Sequence, residues 1–294
     1  MERQASIGGY QMIRMFISDL DGTLLNKYHI ADKTINQAIE EADRRGYRFA
    51  VATGRHMRNH QRFGLGFLKH TQYIIAMNGA LVIDNKGKII DTSAIEPNKV
   101  IEIQDMFPEI SFEFLTAQHA YVKHNRFKHF LKGFKNTPTF KNFGRALLNL
   151  LVGQFHYGVD DEFLKTKSIL KLECITNSAE EHERLVEYLE ANQNYFSFAY
   201  NDEVHFEITA QNVNKRQGIL ALLKKINVHP DRVAVYGNDS NDVEMLEYFI
   251  HSYAPSSAKE IAKKVAKNQI GDANDHAVVK HMLATMKKQD LYKK

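Results

Sequence analysis

The chain has 294 residues, of which 44% are hydrophobic and 25% charged, with 16 Gly, 5 Pro and 1 Cys. This length accommodates one large α/β domain or two domains that each bury a core. The apolar content excludes a disordered chain, and the lone cysteine excludes a disulfide-stapled scaffold. No run approaches the roughly 18 uninterrupted apolar residues of a membrane span. We therefore expect a soluble, globular protein, cytoplasmic by default and without a membrane partner.

Positive charge is concentrated in one segment. The chain has 39 Lys and Arg against 35 Asp and Glu, a net charge of +4. Seven of the basic residues and no acidic residue lie between His119 and Arg145, so the remainder carries a net charge of −3. Phe127, Phe130 and Phe134 have helical spacing here, which favours a core stripe with a solvated basic face. The alternatives are a surface that gathers an anionic substrate, and a nucleic-acid site of stacked aromatics and cations, which we do not expect.

The N-terminal part predicts a parallel sheet. Residues 1–11 have no signal-peptide pattern and are set aside as a tag or an extended start. Buried apolar runs then alternate with an amphipathic helix, a pattern typical of an α/β fold with a doubly wound, Rossmann-like sheet. The predicted elements are strands at Ile13 to Ser18, Arg48 to Thr53 and Tyr73 to Asn78, and a helix whose apolar stripe is Ile35, Ala38, Ile39 and Ala42.

An α+β insert separates this region from a C-terminal region with the same alternation. Between about Leu81 and Thr209 the predicted strands show more alternation or polarity, and two of them, joined by Asn201 and Asp202, predict a hairpin. Ser178 and Glu181 form a capping-box pattern at a helix start. After the insert we predict a helix from Lys215, a strand at Arg232 to Tyr236 and a further helix. The predicted domains are a core of residues 12–83 and 211–294 and an inserted cap of residues 84–210.

Two carboxylates follow the first strand. Asp19 and Asp21 leave the same side of the chain, because side chains alternate along a strand. Carboxylates this close repel each other unless a cation lies between them, and Mg²⁺ is the plausible hard ion. Gly22 permits a sharp turn at the edge where ligands bind in open parallel sheets. The alternative is an acidic turn that merely ends the strand.

Three further polar groups are predicted to reach the same edge. Thr53, Gly54 and Arg55 end the second strand with a hydroxyl and a turn suited to an oxyanion. Lys215 begins the helix after the insert. A cluster of amides and carboxylates, residues 237–242, closes the strand that follows, where simple helix capping is the alternative. Each group alone is ambiguous, but their order and their positions at strand ends favour one site.

These residues carry a family resemblance. The segment Asp19-Leu20-Asp21-Gly22-Thr23-Leu24-Leu25, then Thr53-Gly54-Arg55, Asn78-Gly79-Ala80, Lys215 and the segment from Gly237 to Leu246 resemble the haloacid dehalogenase (HAD) superfamily. More narrowly, the chain is similar to the Cof-type, sugar-phosphatase-like subfamily IIB. In that subfamily a large α+β cap follows the third core strand. The resemblance extends from about Met12 to Met286.

The resemblance implies a catalytic role for each motif. Asp19 would be the nucleophile that forms an aspartyl-phosphate, Asp21 the general acid and base, and Lys215 the group that offsets negative charge. Mg²⁺ would be the cofactor. The implied substrate-binding residues are Leu20, Thr53, Gly54, Arg55, Asn78, Lys215 and Asn241. The implied metal ligands are Asp19, Asp21, Asn238 and Asp242, although Asp242 could instead hold Lys215.

Asn238 departs from the family pattern. The last motif usually reads Gly-Asp-x-x-Asn-Asp, and its first Asp is a metal ligand; an amide there can coordinate Mg²⁺ but adds no charge. We expect a Mg²⁺-dependent phosphatase acting on a small phosphorylated metabolite, either a sugar phosphate or a phosphorylated cofactor such as pyridoxal phosphate or FMN. The alternatives are a phosphotransferase such as a phosphomutase, and an impaired phosphate-binding module. A second Gly-Asp-x-Asn-Asp match, Gly271 to Asp275, follows no clear strand and is interpreted as a helix-capping loop.

Overall fold

The structure, a computed structural model, describes residues 6–7, 10–26, 28–129, 155–201 and 204–292. Its elements group into two compact units, Met1–Asp91 with Asn214–Lys294, and Thr92–Val213. The strands and helices with described bounds are, in chain order, β1 (Ser6–Ile7), β2 (Tyr10–Gln11), β3 (Met15–Ser18), α1 (Lys33–Arg44), β4 (Arg48–Ala52), β5 (Tyr73–Ala76), β6 (Leu81–Asp84), β7 (Ile89–Thr92), α2 (Pro97–Met106), β8 (Glu113–Leu115), β9 (Ala120–Val122), β10 (Phe155–Tyr157), α3 (Asp161–Lys165), β11 (Lys171–Ile175), α4 (Ala179–Ala191), β12 (Phe196–Asn201), β13 (His205–Ala210), α5 (Lys215–Ile226), β14 (Val233–Tyr236), α6 (Val243–Tyr248), β15 (His251–Pro255), α7 (Glu260–Val265), β16 (Asn268–Ile270) and α8 (Ala277–Leu291).

An eight-stranded sheet forms the centre of the first unit. Its strand order is β16-β15-β14-β3-β4-β5-β6-β7. The six strands from β16 to β5 are parallel, and β6 pairs with β5 in the antiparallel sense. The predicted α/β class with a parallel sheet is therefore confirmed. Because β3 lies near the middle, its four residues are all buried, and its carboxyl end meets those of β4, β5 and β14 at one edge.

Helices cover the sheet through apolar stripes. In α1 the buried residues are the predicted Ile35, Ala38, Ile39 and Ala42, and the side chain of Asp32 caps the helix by accepting a backbone N–H. Each buried isoleucine contributes roughly 1.5–3 kcal/mol relative to an exposed one. A second buried cluster joins strands β3, β4, β5 and β14 to α5, α6 and α7. Among the described residues, no helix has the length and apolar character that crossing a membrane requires.

The second unit contains a six-stranded sheet with the order β10-β9-β8-β11-β13-β12. The predicted hairpin is present: β12 and β13 pair in the antiparallel sense, with Asn201 opposite His205. The cap of α4 differs slightly from the predicted capping box. Ser178 accepts the Glu181 N–H, but the Glu181 carboxylate accepts from the N–H of Asn177 rather than from that of Ser178.

Two features differ from the expected organisation of this region. The first unit includes residues 84–91, which we had placed in the insert, because β7 joins the edge of its sheet. In the basic segment, Phe127 is 70% exposed, so it does not belong to a core stripe, and Lys123 pairs with Asp161 at 2.6 Å. Phe130 and Phe134, with the rest of the segment to Arg145, lie outside the described residues.

Candidate active site

Asp19, Lys215 and Asp242 form a buried cluster at the end of β3. Lys215 Nζ donates to Asp19 Oδ1 at 2.6 Å and to Asp242 Oδ1 at 2.7 Å. Burial raises the pKa of Asp19 to about 7; the charge of Lys215 opposes this shift and that of Asp242 adds to it. Against the effect of burial, the two carboxylates raise the pKa of Lys215, which therefore remains an ammonium group. The cluster can offer one carboxylate and one fixed positive charge to a reacting group.

Two glycines bring the start of α5 close enough for Lys215 to reach Asp19. A Cβ on Gly79 would lie 2.2 Å from the carbonyl oxygen of Asn214, and one on Gly218 would lie 2.8 Å from the Cα of Gly79. Gly79 also has a φ of +103°, which disfavours any side chain. The helix can therefore approach the turn after β5 only because both positions lack a side chain. Lys215 is the first residue of that helix and is completely buried.

Asp21 has side-chain partners of its own. Arg55 holds its carboxylate as a fork, with Nε 2.8 Å from Oδ2 and Nη2 2.5 Å from Oδ1, and His29 Nδ1 lies 2.5 Å from Oδ1. Although burial acts to raise it, the hydrogen bonds and charges of Arg55 and His29 lower the pKa of Asp21 overall. The repulsion between Asp19 and Asp21 is thus relieved by two protein cations, Lys215 and Arg55.

The turn after β3 is closed by Asn238. The Leu20 carbonyl accepts the N–H groups of Thr23 and Leu25, which folds the chain back at Gly22. Gly22 has a φ of +77°, and a Cβ there would lie 2.5 Å from the Asn238 amide group. The same amide lies 2.8 Å from Thr23 Oγ1. Two features therefore favour glycine at this position: the left-handed backbone conformation, and the space beside it that the Asn238 amide occupies.

The predicted phosphate ligands meet on the other side of β3. Thr53 is buried after β4, and its Oγ1 accepts the N–H of Arg55 at 3.1 Å, with Gly54 between them in the same turn. Its carbonyl accepts the N–H of Asn78 at 3.0 Å. Asn78 has a φ of +55° and its Oδ1 accepts from the Asn241 Nδ2 at 3.1 Å. This set combines a hydroxyl, side-chain amides and a guanidinium group, which are suitable donors to an oxyanion.

Asp242 has a positioning role in the loop after β14. One of its oxygens accepts from Lys215, and the other accepts the N–H groups of Asn238 at 2.8 Å and Asp239 at 3.1 Å. Of the two roles considered for Asp242, holding Lys215 is the one with a direct contact. Within the described part of the chain, no three His, Cys, Asp or Glu side chains converge as metal ligands. A cation at this edge would therefore need main-chain or amide oxygens.

Comparison with known proteins identifies the family. The model of the haloacid dehalogenase-like hydrolases matches residues 16–282, which is most of the chain. The chain belongs to this family. A putative phosphatase of Mycoplasma genitalium is 27% identical to this HAD-like hydrolase over 273 residues, which cover 90% of this chain and 95% of the relative.

Solved structures show the same fold. A haloacid dehalogenase-like hydrolase from B. subtilis superposes with a TM-score of 0.74 at 21% identity, covering 91% of this chain and 98% of the other. The subclass IIB sugar phosphatase BT4131 superposes with a TM-score of 0.71 at 20% identity, covering 92% and 98%. At these identities the likeness establishes the shared architecture, including the second α+β unit of this HAD-like hydrolase.

Sequence reasoning missed several residues at the site of this HAD-like hydrolase. His29 contacts Asp21 from a loop eight residues away, and nothing in its local sequence indicates that contact. Thr23 lies inside the first motif, yet its contact with Asn238 spans 215 positions. Gly218 looks like an unfavourable residue in an amphipathic helix, and a glycine inside a helix is a signal for close packing that could have been used.

Proposed function

We propose that this HAD-like hydrolase is a Mg²⁺-dependent phosphatase that cleaves small phosphomonoesters through an aspartyl-phosphate. The observation that carries the proposal is the Asp19 carboxylate, buried at the end of the central strand with Lys215 2.6 Å from one oxygen. Phosphoryl transfer needs positioning and charge stabilisation more than new covalent chemistry. A fixed carboxylate beside a fixed ammonium group supplies both.

In the first step, Asp19 Oδ2 forms a bond to phosphorus while the bond from phosphorus to the leaving oxygen breaks. Asp21 gives a proton to that oxygen, so the alcohol leaves uncharged. Arg55 bears on this step because it lowers the pKa of Asp21 while it holds that carboxylate. A substrate phosphate that draws Arg55 toward itself weakens this effect, and Asp21 can then carry the proton that the leaving group needs.

In the second step, Asp21 accepts a proton from water as the water oxygen attacks phosphorus, and the bond to Asp19 breaks to release inorganic phosphate. Thr53, Asn78 and Asn241, together with the backbone amides of Leu20 and Gly54, are proposed to hold phosphate oxygens. The Asn241 side-chain amide, which donates to Asn78 Oδ1 in the structure, can donate to an oxyanion instead.

The oxygen donors near Asp19 suit a hard cation. They are Asp19 Oδ2, the backbone oxygen of Asp21 and the side-chain amide of Asn238, and the amide lies 3.2 and 3.0 Å from the first two. Mg²⁺ binds carboxylate, carbonyl and amide oxygens, so the residues present fit the ion. The Asp19 carboxylate supplies the single negative charge in this set. When bound, Mg²⁺ supplies positive charge against the phosphate oxygens.

A sugar phosphate is the proposed substrate class, and a phosphorylated cofactor is the second. The structural likeness to a sugar phosphatase supports the first choice. The proposal includes a cytoplasmic location and no nucleic-acid partner. Cys174, the lone cysteine, is buried and unpaired, as is usual for a protein of a reducing compartment.

Phosphate release from p-nitrophenyl phosphate and a panel of sugar phosphates, with and without Mg²⁺, tests the proposal. We expect Mg²⁺-stimulated turnover that disappears in Asp19→Asn and persists in Asp105→Asn, an exposed carboxylate in the other unit. Turnover that survives Asp19→Asn would refute the nucleophile assignment. Transfer of phosphate to an acceptor sugar indicates a phosphotransferase, and phosphate binding without turnover indicates a binding module.

A further inference from the structure

Asn238 is held in place through both its main chain and its side chain. Its backbone N–H donates to Asp242 Oδ2 at 2.8 Å, and its backbone oxygen accepts the N–H of Lys259 at 2.9 Å. Its side chain occupies the space beside Gly22 that a Cβ would otherwise fill. With both main-chain groups bonded, the remaining freedom of this residue is largely the rotation of its amide group.

That amide faces oxygens. Thr23 Oγ1 lies at 2.8 Å, the Asp21 backbone oxygen at 3.0 Å and Asp19 Oδ2 at 3.2 Å. The Asp21 backbone oxygen can only accept hydrogen bonds, and so can Asp19 Oδ2 once Asp19 is ionised. An amide oxygen directed at these two oxygens would therefore be repelled. With its nitrogen directed inward, Asn238 instead donates to these oxygens. The favoured orientation therefore depends on whether a cation lies between the oxygens.

The other charges near this point already have protein partners. Asp21 is held by Arg55 and His29, and Asp242 by Lys215 and two backbone N–H groups. Asp239 pairs with Lys259 at 2.7 Å. Among the described residues, Asp19 Oδ2 is the carboxylate oxygen that the Asn238 amide contacts, and it can accept one hydrogen bond from the amide. The described residues around the amide thus form a satisfied arrangement without a metal.

We propose that Asn238 is a positioning residue that substitutes for a divalent cation: its amide nitrogen holds Asp19 Oδ2 and the Asp21 carbonyl together when no cation is bound. A cation must displace this arrangement, because the amide has to turn its oxygen inward before it can act as a ligand. Mg²⁺ therefore binds weakly to this chain, and the turn after β3 keeps its form without it. This inference concerns ion binding and does not require that the protein turn over a phosphomonoester.

Mg²⁺ binding measured by isothermal titration calorimetry tests the proposal on the wild-type protein, Asn238→Asp and Ser240→Asp. Ser240 is exposed two residues away, so the last variant adds the same charge without changing the amide. We expect Asn238→Asp to bind Mg²⁺ at least roughly tenfold more tightly than the wild type, because a second carboxylate joins the donor set. Ser240→Asp should bind as the wild type does. Equal affinities of the wild type and Asn238→Asp would overturn the proposal.

Thermal unfolding in EDTA and in Mg²⁺ provides a second readout. Without metal, Asn238→Asp should unfold at a lower temperature than the wild type, because a carboxylate then faces Asp19 Oδ2 and the Asp21 carbonyl with no donor between them. Mg²⁺ should restore its stability and change the wild type little. If Asn238→Asp fails to fold, a Mn²⁺ titration of the wild type by electron paramagnetic resonance decides: micromolar binding refutes the proposal, and millimolar binding supports it. Neither readout uses turnover, so failure of the phosphatase proposal would be seen separately.

Discussion

Replacing Asp19 by asparagine should abolish activity and should remove a loss of stability that the wild type undergoes as pH rises. Asp19 is 6% exposed, and burial raises its pKa from 3.8 to about 7. The folded protein therefore binds this proton more tightly than the unfolded chain does. Since the folded state binds more protons between these two pKa values, the free energy of unfolding falls as pH rises through that range and is constant above it.

The size of the expected change in stability follows from the difference between the pKa of Asp19 in the unfolded chain and in the folded protein. Each pH unit inside the range changes the contribution of Asp19 by about 1.4 kcal/mol, so it loses about 3 kcal/mol between pH 5 and pH 7. Asp19→Asn has no such titration. The stability of the variant minus that of the wild type should therefore increase by about 3 kcal/mol between pH 5 and pH 8. Titrations shared by both proteins cancel in this difference.

Urea unfolding followed by circular dichroism measures this difference, and the chain has no Trp that would offer a simple fluorescence signal. EDTA in every sample excludes metal binding to the carboxylate. Asp105→Asn, which removes an exposed carboxylate from the other unit, is measured alongside as the matched control. A difference between Asp19→Asn and the wild type that does not change with pH would refute the raised pKa of Asp19.

Three other substitutions test separate parts of the structure. Gly22→Ala should lower stability by about 1–2 kcal/mol from the left-handed backbone alone, with a further loss from the clash with the amide beside it; urea unfolding measures this, and an unchanged midpoint would contradict it. Arg55→Leu should raise the pKa of Asp21, which a carboxyl ¹³C titration would show as an upward shift, because the fork that lowers it is gone. Lys171→Met should cost about 3–5 kcal/mol, since the buried Lys171 pairs with two glutamates that would lose their cation; a smaller loss in urea unfolding would show that those glutamates find other partners.

The spacing of apolar residues in helices and the apolar runs of buried strands made the core of the fold predictable. The stripe of α1 and the apolar runs of β3, β4, β5 and β14 follow directly from residue pattern, because a buried parallel strand excludes polar side chains. β16 was missed for the opposite reason: Asn268 and Gln269 are exposed at the sheet edge, so no apolar run marks them. Gly271, which we described as following no clear strand, follows β16 directly.

The placement of charged groups at the site was less predictable than the fold. The positions of residues at strand ends and at a helix start indicated that Asp19, Asp21, Thr53, Lys215 and the cluster 237–242 share an edge. They did not indicate which of these side chains contact one another. That Arg55 pairs with Asp21, and that Lys215 donates to both Asp19 and Asp242, depends on side-chain directions set by contacts between distant segments. Local sequence does not encode such contacts, and a motif specifies only which residue types are available for them.

The division of the first unit into two sequence segments has a consequence for biosynthesis. Asp19 and Lys215 are 196 positions apart, and β3 pairs with β14, which begins at Val233. A ribosome that has completed Thr92–Val213 has therefore made every strand of the second sheet but not yet the lysine or the neighbouring strand that the N-terminal strands need. Domains generally fold as units during synthesis, so the contiguous unit can form first. The Asp19 carboxylate then remains in water until Lys215 is made, and the cost of burying its charge arises only when the chain is nearly finished.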